Sequence, residues 1–282
     1  MKKVISGILV AACLGLSFST TCAAARQIQI DGVNIRTAAY PEVKNGHVMV
    51  PLRTISENLA ATVQWSTYGV TLTNRNSTIT LKPDSKVAQK NGKVISMDTS
   101  PYIKNNLIFV PLRFVSEAFG SKVNYDKVRV TIDSPSLRIN GVPIKALQQE
   151  YHMTMGGIVQ QIKGDAYNQA IYDIMLKYKG KEVTEPDNYS WQYMIDTLGA
   201  YYKNSEYQFL DDKGDNQLRY DTYSLVGDFP QEMLKDYPPS LIYDANQDKW
   251  YLFSETANEA IRKLVDTANQ NGFMRTISNT IL

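Results

Sequence analysis

An internal repeat constrains the fold of the first half of this chain more than any other feature. Residues 31–73 align without a gap over residues 91–133, so the two copies stand 60 positions apart. The segment HVMVPLRTISENLAATVQW (47–65) falls on LIFVPLRFVSEAFGSKVNY (107–125). Because chance rarely keeps one offset through so many positions, the alignment indicates duplicated structural units.

Each copy predicts the same order of elements. An Asp-Gly or Asn-Gly turn precedes a short apolar strand, which ends at Pro51 or Pro111. Proline suits the first turn of a helix, where its missing N–H costs nothing. Apolar residues then recur at helical spacing: Leu52, Ile55 and Leu59 in one copy, and Leu112, Val115 and Phe119 in the other. We expect an α+β fold, with duplicated strand–helix–antiparallel-strand units forming a sheet packed on helices.

The repeated helix carries an arginine and a glutamate four residues apart, Arg53 with Glu57 and Arg113 with Glu117. Such residues are neighbours on a helix surface, but an exposed pair contributes only about 0.3–0.5 kcal/mol. The arginine could anchor the turn through carbonyl groups or its glutamate, or it could bind an anionic ligand. The sequence favours the anchoring role.

The pattern VPLR-x-x-S-E, followed by a valine strand and an aromatic residue, resembles the copper amine oxidase N-terminal (stalk) domain over residues 27–134. The resemblance implies a bacterial, typically secreted protein with an antiparallel sheet wrapped around helix. It also implies that this part lacks the catalytic copper and quinone of the oxidases that give the family its name.

The triplet Asn124-Tyr125-Asp126 is nevertheless the kind of context in which such oxidases convert a tyrosine into a quinone. Tyr125 aligns with Trp65, and a position that accepts either aromatic after a valine predicts a packing residue on a strand. A copper site would need about three histidines, whereas the chain has His47 and His152. We therefore expect no amine oxidase activity and no cofactor.

The N-terminus predicts a secretory signal peptide over residues 1–25, since two lysines precede an apolar run and then small residues. Val10-Ala11-Ala12-Cys13 also resembles a lipobox, so attachment of a lipid at Cys13 is the alternative. The only cysteines, Cys13 and Cys22, lie within this signal, and the exported chain would have no disulfide. No later apolar stretch is long enough to predict a transmembrane span. We expect a secreted or envelope location.

Charge is unevenly distributed about a junction near residue 134. Residues 26–134 hold 14 basic and 8 acidic side chains, whereas residues 135–282 hold 14 basic and 20 acidic ones. We predict a stalk-type domain before the junction and a second α+β domain of unknown role after it. The basic half suits anionic polymers or an attraction to the acidic half. The alternative is that the uneven charge has no binding role and both halves have ordinary solvated surfaces.

The second half predicts helices and hairpins in alternation. The predicted helices are Asp165–Lys179, Ser190–Lys203 and Thr256–Gln270, the last with a capping box of Thr256 and Glu259. The predicted hairpins are 137–145, Tyr207–Val226 around Asp211–Asp215, and Leu241–Asp244 with Lys249–Phe253.

One loop of this half has the oxygen ligands of a calcium site. Asp244, Asn246, Asp248 and Glu255 stand at the first, third, fifth and twelfth positions of an EF-hand-like loop. Lys249 stands where that loop requires glycine, and no strong helix precedes it. The sequence therefore favours a hairpin turn over a calcium site.

Aromatic and acidic residues offer two further candidates. Fourteen of the 18 tyrosines follow residue 134, and exposed aromatic rings could stack on sugars. However, Tyr167, Tyr178, Trp191 and Tyr201 lie on predicted apolar faces, which favours a core role. The carboxylates Asp211, Asp212, Asp215 and Asp236 could serve a glycosidase, although acidic residues are also ordinary in glycine-containing turns.

The sequence thus predicts an exported, non-catalytic envelope protein. Its stalk-type domain would be a spacer or adhesion module for anionic wall polymers or glycans, and no pattern for nucleic acid is present. The alternatives are an envelope hydrolase carried on the stalk, and a protein that binds calcium or another small ligand.

Overall fold

The structure is a computed structural model that describes residues 27–75, 77–126, 128–153 and 155–281. The predicted signal peptide and the alternative lipid attachment at Cys13 lie outside the described residues. The described chain has the predicted α+β fold, with several sheets and few helices.

Both copies of the repeat form the predicted order of strand, helix and antiparallel strands. In chain order the strands are β1 (Gln27–Ile30), β2 (Val33–Asn34), β3 (Glu42–Lys44), β4 (His47–Pro51), β5 (Thr62–Ser66), β6 (Gly69–Asn74), β7 (Ser77–Leu81), β8 (Val87–Lys90), β9 (Lys93–Ser96), β10 (Tyr102–Lys104), β11 (Leu107–Pro111), β12 (Lys122–Tyr125) and β13 (Arg129–Asp133). The helices are α1 (Leu52–Asn58) and α2 (Leu112–Ala118). Both prolines lie one position before the helix, at its N-cap.

The two copies complete each other's sheets. Strands β1 and β2 of the first copy join β12 and β13 of the second in the order β12-β13-β1-β2. Strands β5 and β6 of the first copy join β8 and β9 of the second, with β7 inserted between them. A third sheet has the order β10-β11-β4-β3. Since each sheet takes strands from both copies, neither copy completes a sheet by itself.

The third sheet relates the copies by an approximate two-fold axis. Val50 pairs with its own counterpart, Val110, and the flanking pairs repeat symmetrically around it. The predicted helix faces point into the core: Leu52, Ile55, Leu59, Leu112 and Val115 are buried, and Phe119 packs against them. Burial of these side chains, at about 1.5–3 kcal/mol each, explains why two short helices are stable here.

The second half is built on one large sheet. Its strands are β14 (Arg138–Ile139), β15 (Val142–Pro143), β16 (Ala146–Met153), β17 (Gly156–Ile162), β18 (Glu182–Val183), β19 (Tyr189–Ser190), β20 (Tyr201–Leu210), β21 (Asn216–Leu225), β22 (Ser240–Asp244), β23 (Lys249–Leu252) and β24 (Met274–Asn279). Its helices are α3 (Asp165–Tyr178), α4 (Gln231–Leu234) and α5 (Glu255–Gln270). Strands β14 and β15 form the predicted Asn-Gly hairpin. The large sheet has the order β18-β23-β22-β21-β20-β16-β17-β24, and β19 adds to β20.

Most predicted elements of this half are present, but the helix over Ser190–Lys203 is wrong. Residues 191–200 are irregular, and β20 begins at Tyr201. The apolar spacing that suggested a helix does not mark a buried face, because Ile195 and Leu198 are exposed. Pairing of β20 with β21 along ten residues outweighs the local pattern.

The predicted capping box of the last helix is also wrong. Helix α5 begins at Glu255, one residue before Thr256, and Ser254 is its N-cap with no side-chain hydrogen bond. The helix instead depends on its apolar face, on which Ala257, Ile261 and Val265 are buried. This agrees with the general dominance of tertiary packing over local signals in helix stability.

Candidate functional site

The repeated arginines lie on the outer surface of the first-half helices. Arg53 Nε is 3.6 Å from Glu57 Oε1, and Arg113 Nε is 3.8 Å from Glu117 Oε1. Both pairs are exposed, so solvent screening limits their contribution to stability. The motif therefore supplies surface ion pairs along the helix rather than an enclosed anion site.

The paired aromatic positions differ between the two copies. Tyr125 packs against the core, and the guanidinium carbon of Arg113 lies 4.6 Å from its ring centroid. Trp65 is 62% exposed. The expectation of a packing aromatic is right for Tyr125 and wrong for Trp65, although both lie on edge strands, β12 and β5.

Trp65 belongs to a surface that we name the aromatic–lysine corner, formed by Trp65, Tyr68, Lys82 and Lys86. It lies at one end of the five-stranded sheet β5–β9, which we name the lysine sheet. Tyr68 is 83% exposed in the turn between β5 and β6, and both lysines are exposed. Trp65 pairs with Val70, which in turn pairs with Leu81, the residue before Lys82. This register brings the aromatic hairpin and the first lysine to the same end of the sheet.

Close backbone packing fixes the corner. A Cβ atom at Gly69 would lie 2.2 Å from the Leu81 carbonyl oxygen and 3.4 Å from Lys82 Cα. Only glycine fits there, and the aromatic turn touches the end of β7. On the far side of the corner, the Met97 N–H donates to the Lys86 carbonyl at 2.7 Å. Both lysines thus extend from fixed backbone.

Two more lysines lie at the opposite end of the lysine sheet. Lys90 and Lys93 face each other directly across the β8–β9 hairpin. Like charges in directly opposed positions are destabilising. In the described part of the chain, none of Lys82, Lys86, Lys90 and Lys93 forms a salt bridge. The sheet therefore presents four cations that are not held in ion pairs, although the exposed carboxylate of Asp84 lies in the loop between Lys82 and Lys86.

Comparison with known families identifies the first half. Residues 29–134 match the family model of the copper amine oxidase N-terminal domain. The predicted resemblance is confirmed over this span. No curated protein and no solved structure matches the chain.

The copper amine oxidase N-terminal domain of this chain does not provide the donors of the oxidase metal site. His47 is on β4 and His152 is on β16, in different sheets. Nowhere in the described ranges do three or more His, Cys, Asp or Glu residues come together as a metal site. Two separated imidazoles do not fit the nitrogen-rich set that copper requires.

No described helix is both long and apolar enough to cross a bilayer.

The oxygen groups of the candidate calcium loop bind protein groups instead. Asp244 is buried, and its Oδ2 accepts from Lys179 Nζ at 2.7 Å. Asn246 Oδ1 accepts from the Arg219 N–H at 3.0 Å, and Asp248 Oδ1 accepts from the Tyr243 hydroxyl at 2.6 Å. Glu255 lies exposed in the first turn of α5. The segment is the turn of the β22–β23 hairpin, the alternative that the sequence favoured.

The carboxylates considered for a hydrolase mostly serve a turn. Asp211 Oδ1 accepts from the backbone N–H groups of Lys213 and Asp215, both at 2.9 Å, and its Oδ2 accepts from Gln217. Asp215 is exposed at that turn, and Asp236 is exposed after α4.

Asp211 and Asp212 also line a cleft of about 600 Å³. Acidic and basic side chains mix in its lining: Asp31, Asp133, Asp165, Asp211, Asp212, Lys145, Lys163, Lys213 and Arg275.

A buried charge cluster, which sequence reasoning missed, lies on the large sheet. Lys203 Nζ is 2.7 Å from Asp221 Oδ2 and 2.9 Å from Glu206 Oε2. Arg219 Nη2 lies 2.7 Å from Glu206 Oε2 and 2.8 Å from Asp221 Oδ2. The Trp191 ring covers Lys203, with its centroid 4.7 Å from Nζ. Two cations and two carboxylates compensate one another, so the cluster is a structural network.

Of the four aromatic residues for which the sequence favours a core role, three are in the core. Tyr167 is fully buried, with its ring centroid 5.0 Å from that of Phe273. Tyr201 is buried, and Tyr178 packs against the core. Trp191 is half-buried outside any helix and contacts the ring of His152. The core interpretation therefore fits the first three, whereas Trp191 covers a charge cluster.

Asp31, which the sequence analysis treated only as a turn residue, connects the two halves. Its Oδ1 accepts from the Ser134 N–H at 2.7 Å, and its Oδ2 accepts from the Ala166 N–H in the first turn of α3. Burial raises the pKa of Asp31, while the backbone hydrogen bonds of Ser134 and Ala166 partly offset this rise. The equivalent position in the second copy is Asn91, so only the first copy has a carboxylate at this turn. This difference between the copies is the sequence feature that distinguishes Asp31.

Proposed function

We propose that this chain is an exported, non-catalytic protein of the bacterial cell envelope that adheres to anionic wall polymers. The observation that carries the proposal is the lysine sheet. Four exposed or half-exposed lysines lie within residues 82–93, and none forms a salt bridge in the described part of the chain. With the exposed Asp84 as the one carboxylate within residues 82–93, this segment has a net positive charge. A surface with a net positive charge attracts anionic polymers, and it binds them more weakly as salt rises.

The internal contacts of the carboxylates support a non-catalytic role. Asp211 is occupied by its own turn, and Asp221 and Glu206 are neutralised within the charge cluster. A glycosidase requires two carboxyl groups that flank the same bond with different proton affinities. Among the candidate carboxylates, the hydrolase alternative would need Asp212, Asp215 or Asp236. Loss of wall hydrolysis in an Asp212→Asn variant would support it against our proposal.

We further propose that the first half is a rigid spacer, and the junction supports this role. Buried apolar residues of both halves form one continuous cluster. Tyr167 of α3 donates to the Glu57 carbonyl at 2.7 Å, and Arg75 pairs with Asp173 at 3.0 Å. A spacer of this kind would hold the large sheet at a fixed orientation to the polymer-binding surface.

Pelleting with purified cell-wall sacculi tests the proposal on the chain without its signal peptide. The test variant replaces Lys82, Lys86, Lys90 and Lys93 with glutamine. The matched control replaces Lys181, Lys235, Arg262 and Lys263, which are exposed in the second half, with glutamine. We expect the wild type and the control to pellet at low salt and the test variant to stay in solution. Equal pelleting of both variants would contradict the proposal.

A further inference from the structure

The aromatic–lysine corner differs from its own duplicate in a way that folding does not require. In the second copy the positions of Trp65 and Tyr68 hold Tyr125, which packs against the core, and Val128. The first copy instead exposes two large rings, at 62% and 83%. Since the same scaffold is stable with a covered tyrosine and a valine, the exposed rings are not needed for the sheet.

The corner is also built to hold its shape without a ligand. The Ser66 hydroxyl oxygen accepts from the Tyr68 N–H at 3.2 Å and donates to the Gly69 carbonyl. In the neighbouring loop, the Asp84 N–H donates to the Pro101 carbonyl at 2.8 Å. Preorganised backbone lowers the conformational cost of binding. The backbone that carries the two rings and the two lysines is therefore held before a ligand binds, and the flexible lysine stems can adjust to it.

The chemistry of these four side chains selects a class of ligand. Exposed aromatic rings offer flat apolar faces with polar tips, which match the C–H faces of pyranose rings. Lysine ammonium groups supply compact positive charges for acidic groups. A neutral glucan would leave the lysines unused, and an acidic polymer without rings would leave Trp65 and Tyr68 unused.

We infer that the aromatic–lysine corner binds an acidic polysaccharide, one whose pyranose rings carry carboxylate groups. Trp65 and Tyr68 stack on sugar rings, and Lys82 and Lys86 bind the carboxylates of the same or neighbouring units. This assignment rests on the proposed function, because it names the polymer class and the residues that an anionic wall ligand would contact.

Three polymers separate the contributions of ring and charge. Polygalacturonate has acidic pyranose units, polyglutamate has acids without sugar rings, and dextran has rings without acids. We expect the wild type to bind polygalacturonate at low salt, polyglutamate about tenfold more weakly, and dextran not measurably. A tenfold difference corresponds to about 1.4 kcal/mol. Equal affinity for the two acidic polymers would overturn the assignment.

Two variants place the sugar contact on the corner. In Trp65→Ala/Tyr68→Ala, we expect affinity for polygalacturonate to fall about tenfold, or about 1.4 kcal/mol, while affinity for polyglutamate is unchanged. The control is Tyr40→Ala, which removes another exposed ring, 80% exposed, outside the corner, and we expect it to bind as the wild type does. An unchanged melting temperature establishes that the double variant is folded.

The outcomes distinguish this inference from the proposed function. If the double variant binds polygalacturonate as well as the wild type does, the corner is not a sugar site, although salt-sensitive pelleting with walls would still support adhesion. If neither acidic polymer binds and sacculi do not pellet the protein, both the assignment and the proposed function are wrong.

Discussion

Asp31 Oδ2 accepts a hydrogen bond from the Ala166 N–H across 135 positions of the chain, at 3.2 Å. A turn residue of the first repeat thereby caps a helix of the second half, and the same carboxylate holds Ser134 at the junction. Helix α3 has Gly164 at its N-cap, which offers no side chain for this purpose. The two halves are thus joined by a specific polar contact as well as by shared apolar core.

Replacing Asp31 with alanine should destabilise the whole chain. Two backbone N–H groups would lose their acceptor, and loss of a helix cap typically costs about 1 kcal/mol. Urea unfolding measures the change. Asn91→Ala is the matched control at the equivalent position, where the side chain accepts a single N–H, from Thr78. An equal loss in the two variants would contradict the capping role.

The second prediction concerns acid sensitivity at Glu42. Hydrogen bonds from Lys104 and from the Tyr102 hydroxyl lower the pKa of Glu42. Because its folded-state pKa lies below the unfolded value, the pair contributes stability above the unfolded pKa of about 4.3, and this contribution disappears as pH falls through the folded pKa. Glu42→Gln should therefore be less stable than wild type at pH 7, and the difference should shrink as pH falls below about 4. A stability difference between wild type and Glu42→Gln that does not change with pH would show that the contacts of Lys104 and Tyr102 do not depend on the charge of Glu42.

Tyr167 allows a test of the buried contact between the halves. Burial raises the pKa of this tyrosine, so its hydroxyl stays protonated and donates to the Glu57 carbonyl while accepting from Asn271 Nδ2. Tyr167→Phe should cost about 1–2 kcal/mol, since both partners lose their hydrogen bond. Tyr178→Phe is the control, because among the described residues its hydroxyl makes no hydrogen bond. Thermal unfolding of both variants would compare them, and equal melting temperatures would refute the contact.

The sequence predicts those elements that depend on residues close together in the chain, and it does not predict pairings between distant segments. The repeat and the i, i+3, i+7 spacing of Leu52, Ile55 and Leu59 give the helices and strands of the first half, because burial of one face imposes that spacing. The exchange of β1 and β8 between the copies' sheets is not local, and an alignment of the copies cannot reveal it. For the same reason, Ser190–Lys203 has helical spacing, but residues 191–200 are irregular and Tyr201–Lys203 begin the long strand β20.

The candidate site was only partly predictable. The net positive charge of the first half is visible in its composition. The position of Lys82 beside the aromatic turn is not, because it depends on how β7 packs in the sheet. Exposure of Trp65 contradicts the repeat-based expectation, since equivalent positions were assumed to share an environment. The charge cluster of Lys203 was invisible because its members come together only through the register of β20 and β21.

That cluster gives a fourth prediction. Lys203→Met removes a buried cation and leaves Glu206 and Asp221 to Arg219 alone, which should cost about 3 kcal/mol. Lys249→Met is the control, because its ion pair with Glu182 is at the surface and should matter far less. Urea unfolding distinguishes them. If the two substitutions cost the same, the network does not stabilise the sheet.

Adhesion through the lysine sheet is tested most directly by the salt dependence of wall binding. The wild-type chain and the variant with Lys82, Lys86, Lys90 and Lys93 replaced by glutamine would be pelleted with sacculi from about 0.01 M to about 1 M salt, over which the Debye length falls from about 30 Å to about 3 Å. We predict that wild-type binding is strong at low salt and is lost as salt rises, and that the variant binds little throughout. Wild-type binding that persists at high salt, or a variant that pellets like the wild type at low salt, would contradict the account.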